Sequence, residues 1–385
     1  MAYFDYNATT PLNSAARQAL VDALDTFWAN PSSPYRQSAQ VHNALAAARE
    51  ILAKRLGKSP EEVIFNGGVT EANNAVIRHL ADHLQNTKLL VLSPFEHPSI
   101  AEPARQIFGE RVQTLKASSD GTVDADHLDE LLKQGVVGAV SVMAVNNETG
   151  VVQPWQAIGE RCHNAGIPFH CDASQWFGKC AGGDFSYCDF LVGCGHKFGG
   201  PKGVGFLALS KNSLGFRSAL GGGQESGRRG GTENVSSILS LVAALEYSDS
   251  QLDHMLSQAK GRDEFEAALQ SRLPEISCIG KSAARVPNTS FLVLPQFENL
   301  RWVRKLDLKG FQVSTGSACA TGETGSSAVL DALGYPADAG RKTVRVSAGP
   351  TTSANDWTEL IEAFLQVWDD LSQPGTSSGS AVISI

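Results

Sequence analysis

The residue with the clearest capacity for covalent chemistry is a lysine that follows the short apolar run 189–193. A lysine beside a buried strand loses part of its hydration, which lowers the pKa of its amine and makes it a candidate for Schiff-base formation. Two lysines follow this run, and Lys197 is favoured because Lys202 comes after a Gly-Pro pair, on the outer limb of the turn. The segment therefore predicts a reactive amine inside a glycine-rich turn.

A carboxylate follows a second apolar run, which ends at Asp172 and is followed by Gln175. A carboxylate at the end of a buried strand can hydrogen-bond a cationic heteroaromatic nitrogen and keep it protonated. Asp is also a common N-cap residue, so Asp172 fits the start of a helix equally well. The pattern leaves both interpretations of Asp172 open.

The segment 65–71 reads Phe-Asn-Gly-Gly-Val-Thr-Glu, which is typical of a strand end, a glycine turn and a helix start. Backbone N–H groups at a helix N-terminus bind anions, and the Thr70 hydroxyl adds a donor. Thr70 can equally be a simple helix cap. Because the segment matches neither G-x-G-x-x-G nor the Walker A sequence, it does not favour a dinucleotide or a nucleoside triphosphate.

Cys319 lies among small residues, in a segment (313–327) that is rich in Gly, Ser, Ala and Thr. Such a segment predicts a loop, so the thiol is expected to be exposed rather than packed in a core. The neighbours of Cys162, Cys180 and Cys278 favour packing roles instead. The cysteine spacing contains no close pair of the kind that binds zinc, and no metal site is predicted.

The elements that must position these residues alternate between helices and short strands. Helical periodicity predicts helices at 15–27, 41–56, 71–84, 234–247, 251–271 and 355–371. Apolar and β-branched runs predict strands at 89–93, 136–145, 168–172, 189–193, 204–209, 290–294 and 343–347. This alternation predicts an α/β fold with a mainly parallel sheet. Ligands bind beyond the carboxyl ends of parallel strands, where Lys197 and Asp172 are expected.

Composition limits the class of partner. The chain has 385 residues, 32 Lys plus Arg, 40 Asp plus Glu and a formal net charge of −8. Both signs are spread along the chain, which leaves no basic patch for direct contact with nucleic acid. The longest apolar stretch, 136–145, is shorter than the ~18–20 residues of a membrane span, so no membrane contact is predicted. Seven cysteines without paired spacing favour a reducing compartment, and we expect a cytoplasmic protein.

Taken in order, these segments resemble the cysteine desulfurases of the NifS/IscS type, pyridoxal 5′-phosphate (PLP) enzymes of the class V aminotransferase family. The resemblance covers nearly the whole chain, and the ordered set of motifs is more specific than any one of them. The motifs lie at 5–11, 30–33, 96–98, 146–150, 195–197, 230–232, 317–319 and 344–347. The 25 residues between Cys319 and Arg345 match the long-loop group, whose mobile thiol can deliver sulfur to other proteins.

The resemblance implies the type I fold of PLP-dependent transferases, with a mainly parallel seven-stranded sheet and a smaller α+β C-terminal domain, assembled as a homodimer. The order of predicted helices and strands changes near 247–251, which agrees with two domains in a chain of this length. We expect residues 14–248 to form the large PLP-binding domain. Residues 1–13 and 249–371 then form the small domain that carries the Cys319 loop, and 372–385 is expected to be a flexible tail.

The resemblance also implies roles around the PLP ring. Lys197 resembles the lysine that binds PLP covalently, and Asp172 resembles the partner of the pyridine nitrogen. Gln175 resembles the residue that faces the phenolic oxygen. His97 resembles the imidazole that stacks on the ring and assists proton transfer. These roles are chemically consistent, because a protonated pyridine makes the ring an electron sink.

Further residues resemble the phosphate pocket of the family. Thr70 and His196 resemble phosphate ligands, and Thr232 resembles the ligand that the other subunit provides. Val69 and Cys194 belong to the same pocket, although Cys194 stands where the family usually has Ser, and a thiol is the weaker donor. Other departures from the family pattern lie at Tyr35, Ser38 and Gly199.

Asn147 and Arg345 resemble the groups that hold the substrate carboxylate, which a guanidinium can bind with two hydrogen bonds. By residue type alone, Arg345 fits a surface ion pair as well. The implied reaction converts L-cysteine to L-alanine and leaves the sulfur on Cys319 as a persulfide, for an acceptor protein such as an iron–sulfur scaffold. The alternative is a PLP-dependent aminotransferase or β-lyase acting on a small amino acid, with Cys319 as an ordinary exposed thiol.

Overall fold

A seven-stranded sheet dominates the computed structural model, which describes residues 1–316 and 327–373. The strands are β1 (Ala2–Tyr3), β2 (Val63–Asn66), β3 (Leu89–Leu92), β4 (Val112–Thr114), β5 (Val137–Ser141), β6 (Phe169–Asp172), β7 (Phe190–Cys194), β8 (Gly205–Leu209), β9 (Ser277–Cys278), β10 (Thr289–Val293), β11 (Phe311–Gln312) and β12 (Thr343–Ser347). The large sheet has the order β2-β8-β7-β6-β5-β3-β4. The five neighbouring strands β7, β6, β5, β3 and β4 are parallel to one another, and β8 is antiparallel to both β2 and β7. The predicted α/β fold with a mainly parallel seven-stranded sheet is confirmed.

Helices pack around this sheet and around a smaller one. They are α1 (Ser14–Thr26), α2 (Arg36–Leu56), α3 (Val69–His83), α4 (Pro98–Phe108), α5 (Ala125–Lys133), α6 (Trp155–Asn164), α7 (Gln224–Gly227), α8 (Val235–Ser250), α9 (Leu252–Arg272), α10 (Asn299–Leu308), α11 (Ala328–Ala332) and α12 (Ala354–Ser372). The predicted helices correspond to α1, α2, α3, α8, α9 and α12. The sequence pattern does not predict α4, α5, α6 and α10, which are short, and α4 also contains Pro103.

β5 ends at Ser141, so the strand predicted at 136–145 is too long. Beyond Ser141 the hydrogen bonds of the strand continue on one side only, because the N–H groups of Val142 and Ala144 still donate to backbone oxygens of β6 at 3.1 and 2.8 Å. On the other side, pairing with β3 ends at Ser141, and the N–H of Met143 donates to the buried Glu96 side chain at 2.7 Å. Residues 142–145 stay buried. Composition therefore continues to indicate a strand after the pairing with β3 has ended.

The first turn of α3 lies against the edge of the sheet where β7 ends. Gly68, its N-cap, has a φ of 132°, a conformation that favours glycine. Gly205 at the start of β8 faces the same turn, and a Cβ there would lie 2.9 Å from the Cα of Gly68. Two glycines therefore allow the start of α3 to approach the sheet closely.

Four groups of buried apolar side chains hold the described residues together, and two of them matter here. The larger group packs on the seven-stranded sheet. A second group combines Phe4 with Phe265, Trp302, Trp357 and Phe364, beside the antiparallel sheet β12-β10-β9. Residues 374–385 of the expected tail lie outside the described part. Among the described helices, none combines the length and the apolar character needed to cross a bilayer.

Candidate active site

A cavity of about 970 Å³ opens at the edge of the sheet where β6 and β7 end. A volume of this size is typical of small-molecule sites. The predicted site residues that line it are Val69, Thr70, His97, Asn147, Asp172, Gln175, Cys194, His196, Lys197 and Arg345. Thr232 is exposed and is not among the lining residues. Cys319 lies outside the described residues.

Lys197 closes a 3-10 turn, Gly195–Lys197, that directly follows β7. Its Nζ donates to the backbone oxygens of Asn7 at 2.8 Å and Ala8 at 2.9 Å. Burial lowers the pKa of this amine, and the nearby Arg345 charge acts in the same direction. Lys202 is exposed. Burial and the lowered pKa therefore favour Lys197 as the reactive amine.

Asp172 is the last residue of β6 and is buried. Its Oδ1 accepts from the N–H of Ser174 at 2.9 Å, and its Oδ2 accepts from Asn73 Nδ2 at 3.1 Å. Residues 174–179 form turns, so the interpretation of Asp172 as a helix cap is wrong. A carboxylate has about four acceptor positions, so these two bonds leave capacity for a ligand nitrogen.

The N-terminus of α3 forms one side of the cavity. Gly68 is the N-cap, so the interpretation of Thr70 as the cap is wrong, and Val69 and Thr70 of the first turn line the cavity instead. N–H groups of a first turn have no partner inside the helix, which makes this end suited to an anion. Burial lowers the pKa of His196 to about 4 and raises that of Cys194 to about 11. Both side chains are therefore neutral near pH 7.

Lys179 and Asn7 are site residues that the sequence analysis missed. Lys179 is 2% exposed, and its Nζ donates to Gln175 Oε1 and, at 2.7 Å, to Asn7 Oδ1. Gln175 Nε2 donates in turn to the backbone oxygen of Asn7 at 2.9 Å. Because an ammonium group only donates, Lys179 fixes the orientation of both amides. Burial, followed by the Lys197 and Arg345 charges, lowers the pKa of Lys179 well below its usual value.

Arg345 lies on β12 and is 2% exposed, so the interpretation as a surface ion pair is wrong. Its Nη2 donates to Asp5 Oδ1 at 2.6 Å. Its Nη1 donates to the backbone oxygens of Asn147 at 3.0 Å and Gly316 at 3.3 Å. Nε has no partner among the described residues. The cavity thus contains a buried guanidinium whose charge is balanced by an exchangeable carboxylate.

Two buried carboxyl groups also line the cavity, and sequence spacing gave no signal for either. Glu96 accepts from the N–H of Met143 through Oε1, while its Oε2 has no partner in the described part of the chain. Burial, with a smaller effect of Asp172, raises the pKa of Glu96 to about 8. Glu148 accepts from Ser327 Oγ at 2.7 Å, and burial raises its pKa as well.

Several buried polar atoms lack a partner in residues 1–316 and 327–373, and this suggests a ligand in the cavity. They include Ser174 Oγ, Glu96 Oε2 and Arg345 Nε, and all three residues line the cavity. The amine of Lys197 suits an aldehyde, the carboxylate of Asp172 suits a pyridinium nitrogen, and the start of α3 suits a phosphate. The residues present therefore fit PLP.

Comparisons with known proteins agree with this geometry. The family model of the class-V aminotransferases matches residues 2–360. The cysteine desulfurase IscS of Dictyoglomus turgidum is 32% identical over 374 residues, which cover 96% of this chain and 95% of the relative. The cysteine desulfurase NifS of Azotobacter vinelandii is 33% identical over 365 residues, 93% of this chain and 90% of the relative.

Solved structures give the same result. A NifS-like protein from Rickettsia africae superposes with a TM-score of 0.86 at 28% identity, covering 96% of this chain and 99% of the other. SspA in complex with cysteine superposes with a TM-score of 0.78 at 31% identity, covering 92% of this chain and all of the other.

Proposed function

We propose roles for the site residues of a chain that belongs to the class V aminotransferase family and, within it, to the PLP-dependent cysteine desulfurases of the NifS/IscS type. The enzyme desulfurates L-cysteine. PLP, when bound, supplies an electron sink for the negative charge that develops at the substrate α-carbon. The relatives named above are cysteine desulfurases, so the aminotransferase or β-lyase alternative has no support.

The proposed cofactor site uses the residues at the ends of β6 and β7 and at the start of α3. Lys197 binds the aldehyde carbon, Asp172 holds the ring nitrogen protonated, and Gln175 faces the phenolic oxygen. Thr70, His196 and the backbone N–H groups of the first turn of α3 hold the phosphate. Cys194 and Val69 complete this pocket. One observation carries the proposal: the partly buried amine of Lys197 and the buried carboxylate of Asp172 line the same cavity.

The proposed substrate site uses Arg345 and Asn147. Arg345 Nε is buried and has no partner in the described part of the chain, so it is available to a carboxylate. The substrate carboxylate then shares or replaces the Asp5 contact on the same guanidinium. With its lowered pKa, the amine of Lys197 accepts the α-proton of cysteine. His97, which lines the same cavity, assists proton transfer.

Cys319 is proposed as the residue that takes the sulfur. It follows Gly316 by three residues in the sequence. Gly316 lines the cavity, and Ser327, on the other side of the segment 317–326, donates to Glu148 of the cavity wall. In the proposed step the Cys319 thiolate attacks the substrate sulfur. A new S–S bond forms, the substrate Cβ–S bond breaks, and reprotonation of the remaining three-carbon unit gives alanine.

We further propose a homodimer that passes sulfur to an acceptor protein such as an iron–sulfur scaffold. Leu24 and Trp28 are 59% and 71% exposed near the end of α1, and this apolar pair supports an interface there. Thr232, also exposed, resembles the phosphate ligand of the neighbouring subunit. Sedimentation is expected to give a dimer at assay concentration, and a fully active monomer would contradict it.

The two-domain division, 14–248 against 1–13 with 249–371, is proposed as well. The second apolar group supports it, because Phe4 packs there with side chains from 265 to 371. A cytoplasmic location stays a prediction from cysteine usage.

Turnover of L-cysteine tests the proposed function. Purified protein supplied with PLP, L-cysteine and a thiol reductant is expected to release alanine and sulfide in equal amounts. The matched variant Lys197→Ala is expected to release neither. Release of pyruvate and ammonia with sulfide would identify a β-lyase and overturn the proposal.

A further inference from the structure

A chain of hydrogen bonds connects Asp172 to His97 along the wall of the cavity, through Asn73 behind it and Ser99 that lines it. Asn73 Nδ2 donates to Asp172 Oδ2 at 3.1 Å and to Ser99 Oγ at 3.0 Å. Ser99 Oγ lies 2.8 Å from His97 Nδ1, and the backbone N–H of Ser99 donates to the same nitrogen at 3.1 Å. Asn73 and Ser99 are buried, so water does not compete for these contacts.

The direction of each bond follows from the groups themselves. A carboxylate only accepts, so Asn73 must present its NH₂ group to Asp172, because the reversed amide would set its oxygen against the carboxylate. The second proton of that NH₂ group goes to Ser99 Oγ, which therefore accepts. The hydroxyl proton of Ser99 is then free to be donated to His97 Nδ1.

The backbone gives the same answer for His97 independently. His97 is the N-cap of α4, and its Nδ1 accepts from the N–H of Ser99. A backbone N–H can only donate, so Nδ1 must carry a lone pair. The proton of the neutral ring is consequently on Nε2, which has no hydrogen-bond partner in the described part of the chain.

We propose that Ser99 and Asn73 are positioning residues that hold neutral His97 in the tautomer with its proton on Nε2, so that the ring offers an N–H donor to the cavity. The hydrogen-bond network does not depend on the proposed function, but the use of this donor rests on it. A neutral imidazole N–H can stabilise negative charge that develops on a bound substrate. Removal of the α-proton then belongs to Lys197, because Nε2 of the neutral ring cannot accept a proton.

Other groups around the ring act on its charge. Burial lowers the pKa of His97, and the Lys197 charge lowers it further, whereas Asp172 and Glu102 raise it. Protonation at Nδ1 would turn that nitrogen into a donor facing the Ser99 N–H and would force the Ser99 hydroxyl to turn away. The Ser99 contacts therefore add to burial in keeping the ring neutral.

Ring-nitrogen NMR of the ¹⁵N-histidine-labelled holoenzyme tests the proposal. The signals of His97 are those lost in His97→Gln. In the wild-type enzyme we expect an unprotonated, hydrogen-bonded Nδ1 and a protonated Nε2. A proton on Nδ1 at neutral pH would overturn the proposal, and this result needs no variant to fold.

The Ser99 hydroxyl is tested by a matched pair of variants. Ser99→Ala removes one donor to Nδ1 and is expected to raise the midpoint of the His97 titration by roughly 0.5 to 1 pH unit. Ser99→Thr keeps the hydroxyl and is expected to retain the wild-type midpoint. An unchanged midpoint in Ser99→Ala would exclude the role of Ser99. Because the readout is a ring titration, an enzyme with the expected tautomer but without alanine release would contradict only the proposed function.

Discussion

Two walls of the cavity differ in how their charges are balanced. The sheet-end wall, formed by Asp172, Lys197 and Ser99 with Asn73 behind it, has its donor directions set by protein partners. The arginine wall, formed by Asn147 and Arg345, balances its guanidinium with the carboxylate of Asp5, which is 22% exposed. A preorganised wall suits a resident cofactor, and an exchangeable ion pair suits a substrate that must enter and leave. The difference predicts that changes in the first wall act on catalysis and changes in the second act on substrate affinity.

The largest effect is expected at the amine of the sheet-end wall. Lys197→Ala is expected to abolish alanine formation, because it removes both the covalent attachment and the group that accepts the α-proton. After borohydride reduction, peptide mapping should find PLP on Lys197 in the wild-type enzyme and on no lysine in the variant. Lys202→Ala is the matched control and should keep the adduct. An adduct on Lys202 in Lys197→Ala would transfer the assignment to that residue.

A smaller but still large effect is expected at Asp172. Asp172→Asn keeps the shape and the Asn73 contact but removes the negative charge that favours a protonated ring nitrogen. The kcat for L-cysteine is expected to fall by at least about tenfold, with a smaller change in KM. Steady-state kinetics measures both. Near-normal kcat would mean that Asp172 supports the turn at 174–179 and nothing more.

A substitution at the arginine wall is expected to improve substrate affinity, whereas the two substitutions at the sheet-end wall lower turnover. Asp5→Asn removes the anion that competes for Arg345 and should lower KM for L-cysteine by severalfold. The weaker hydrogen bond to the buried guanidinium is expected to lower the stability of the substrate-free enzyme by about 1–3 kcal/mol. Thermal unfolding with and without substrate, together with KM, checks both parts. A raised KM would show that Asp5 orients the guanidinium instead of competing for it.

The last prediction concerns Glu96, which lines the same cavity and is expected to affect stability without a direct effect on turnover. Its pKa is raised from 4.5 to about 8 by burial, so the folded state keeps a proton that the unfolded state has lost. This contribution to stability is complete below about pH 4.5 and disappears as the pH rises through about 8, with a slope of at most about 1.4 kcal/mol per pH unit. Glu96→Gln is expected to remove this slope. The measurement is the unfolding free energy of the wild-type protein and of the variant at each pH across this range, and the difference between the two is expected to change with pH. Parallel curves for the two proteins would contradict a protonated Glu96.

The same comparison explains what could be predicted from the sequence. Strand ends of a parallel sheet meet at one edge, so local patterns predicted Lys197 and Asp172 and the anion site at α3. The prediction failed at the end of β5, where buried residues continue through 145 after the pairing with β3 has ended at Ser141. Composition does not show which hydrogen bonds a buried residue makes.

Residues that act through distant contacts gave no such signal. Asp5 reaches Arg345 across 340 positions, and Lys179 reaches Asn7 across 172. Asn73 lies in a predicted helix and Ser99 in a segment with no predicted element, and only the fold shows that they lie between Asp172 and His97. Pairings of this kind are set by tertiary packing, and spacing in a single sequence does not reveal them.

The central claim is that sulfur leaves L-cysteine on Cys319, and mapping of the persulfide after a single turnover tests it most directly. Enzyme loaded with PLP is mixed with one equivalent of L-cysteine without reductant, and its free and persulfidated thiols are alkylated. The protein is then digested, and the mass of each cysteine-containing peptide is measured. We expect one equivalent of alanine and one extra sulfur on Cys319, while Cys319→Ser should release no alanine under the same conditions. Full alanine and sulfide release by Cys319→Ser, or the extra sulfur on another cysteine, would contradict the account.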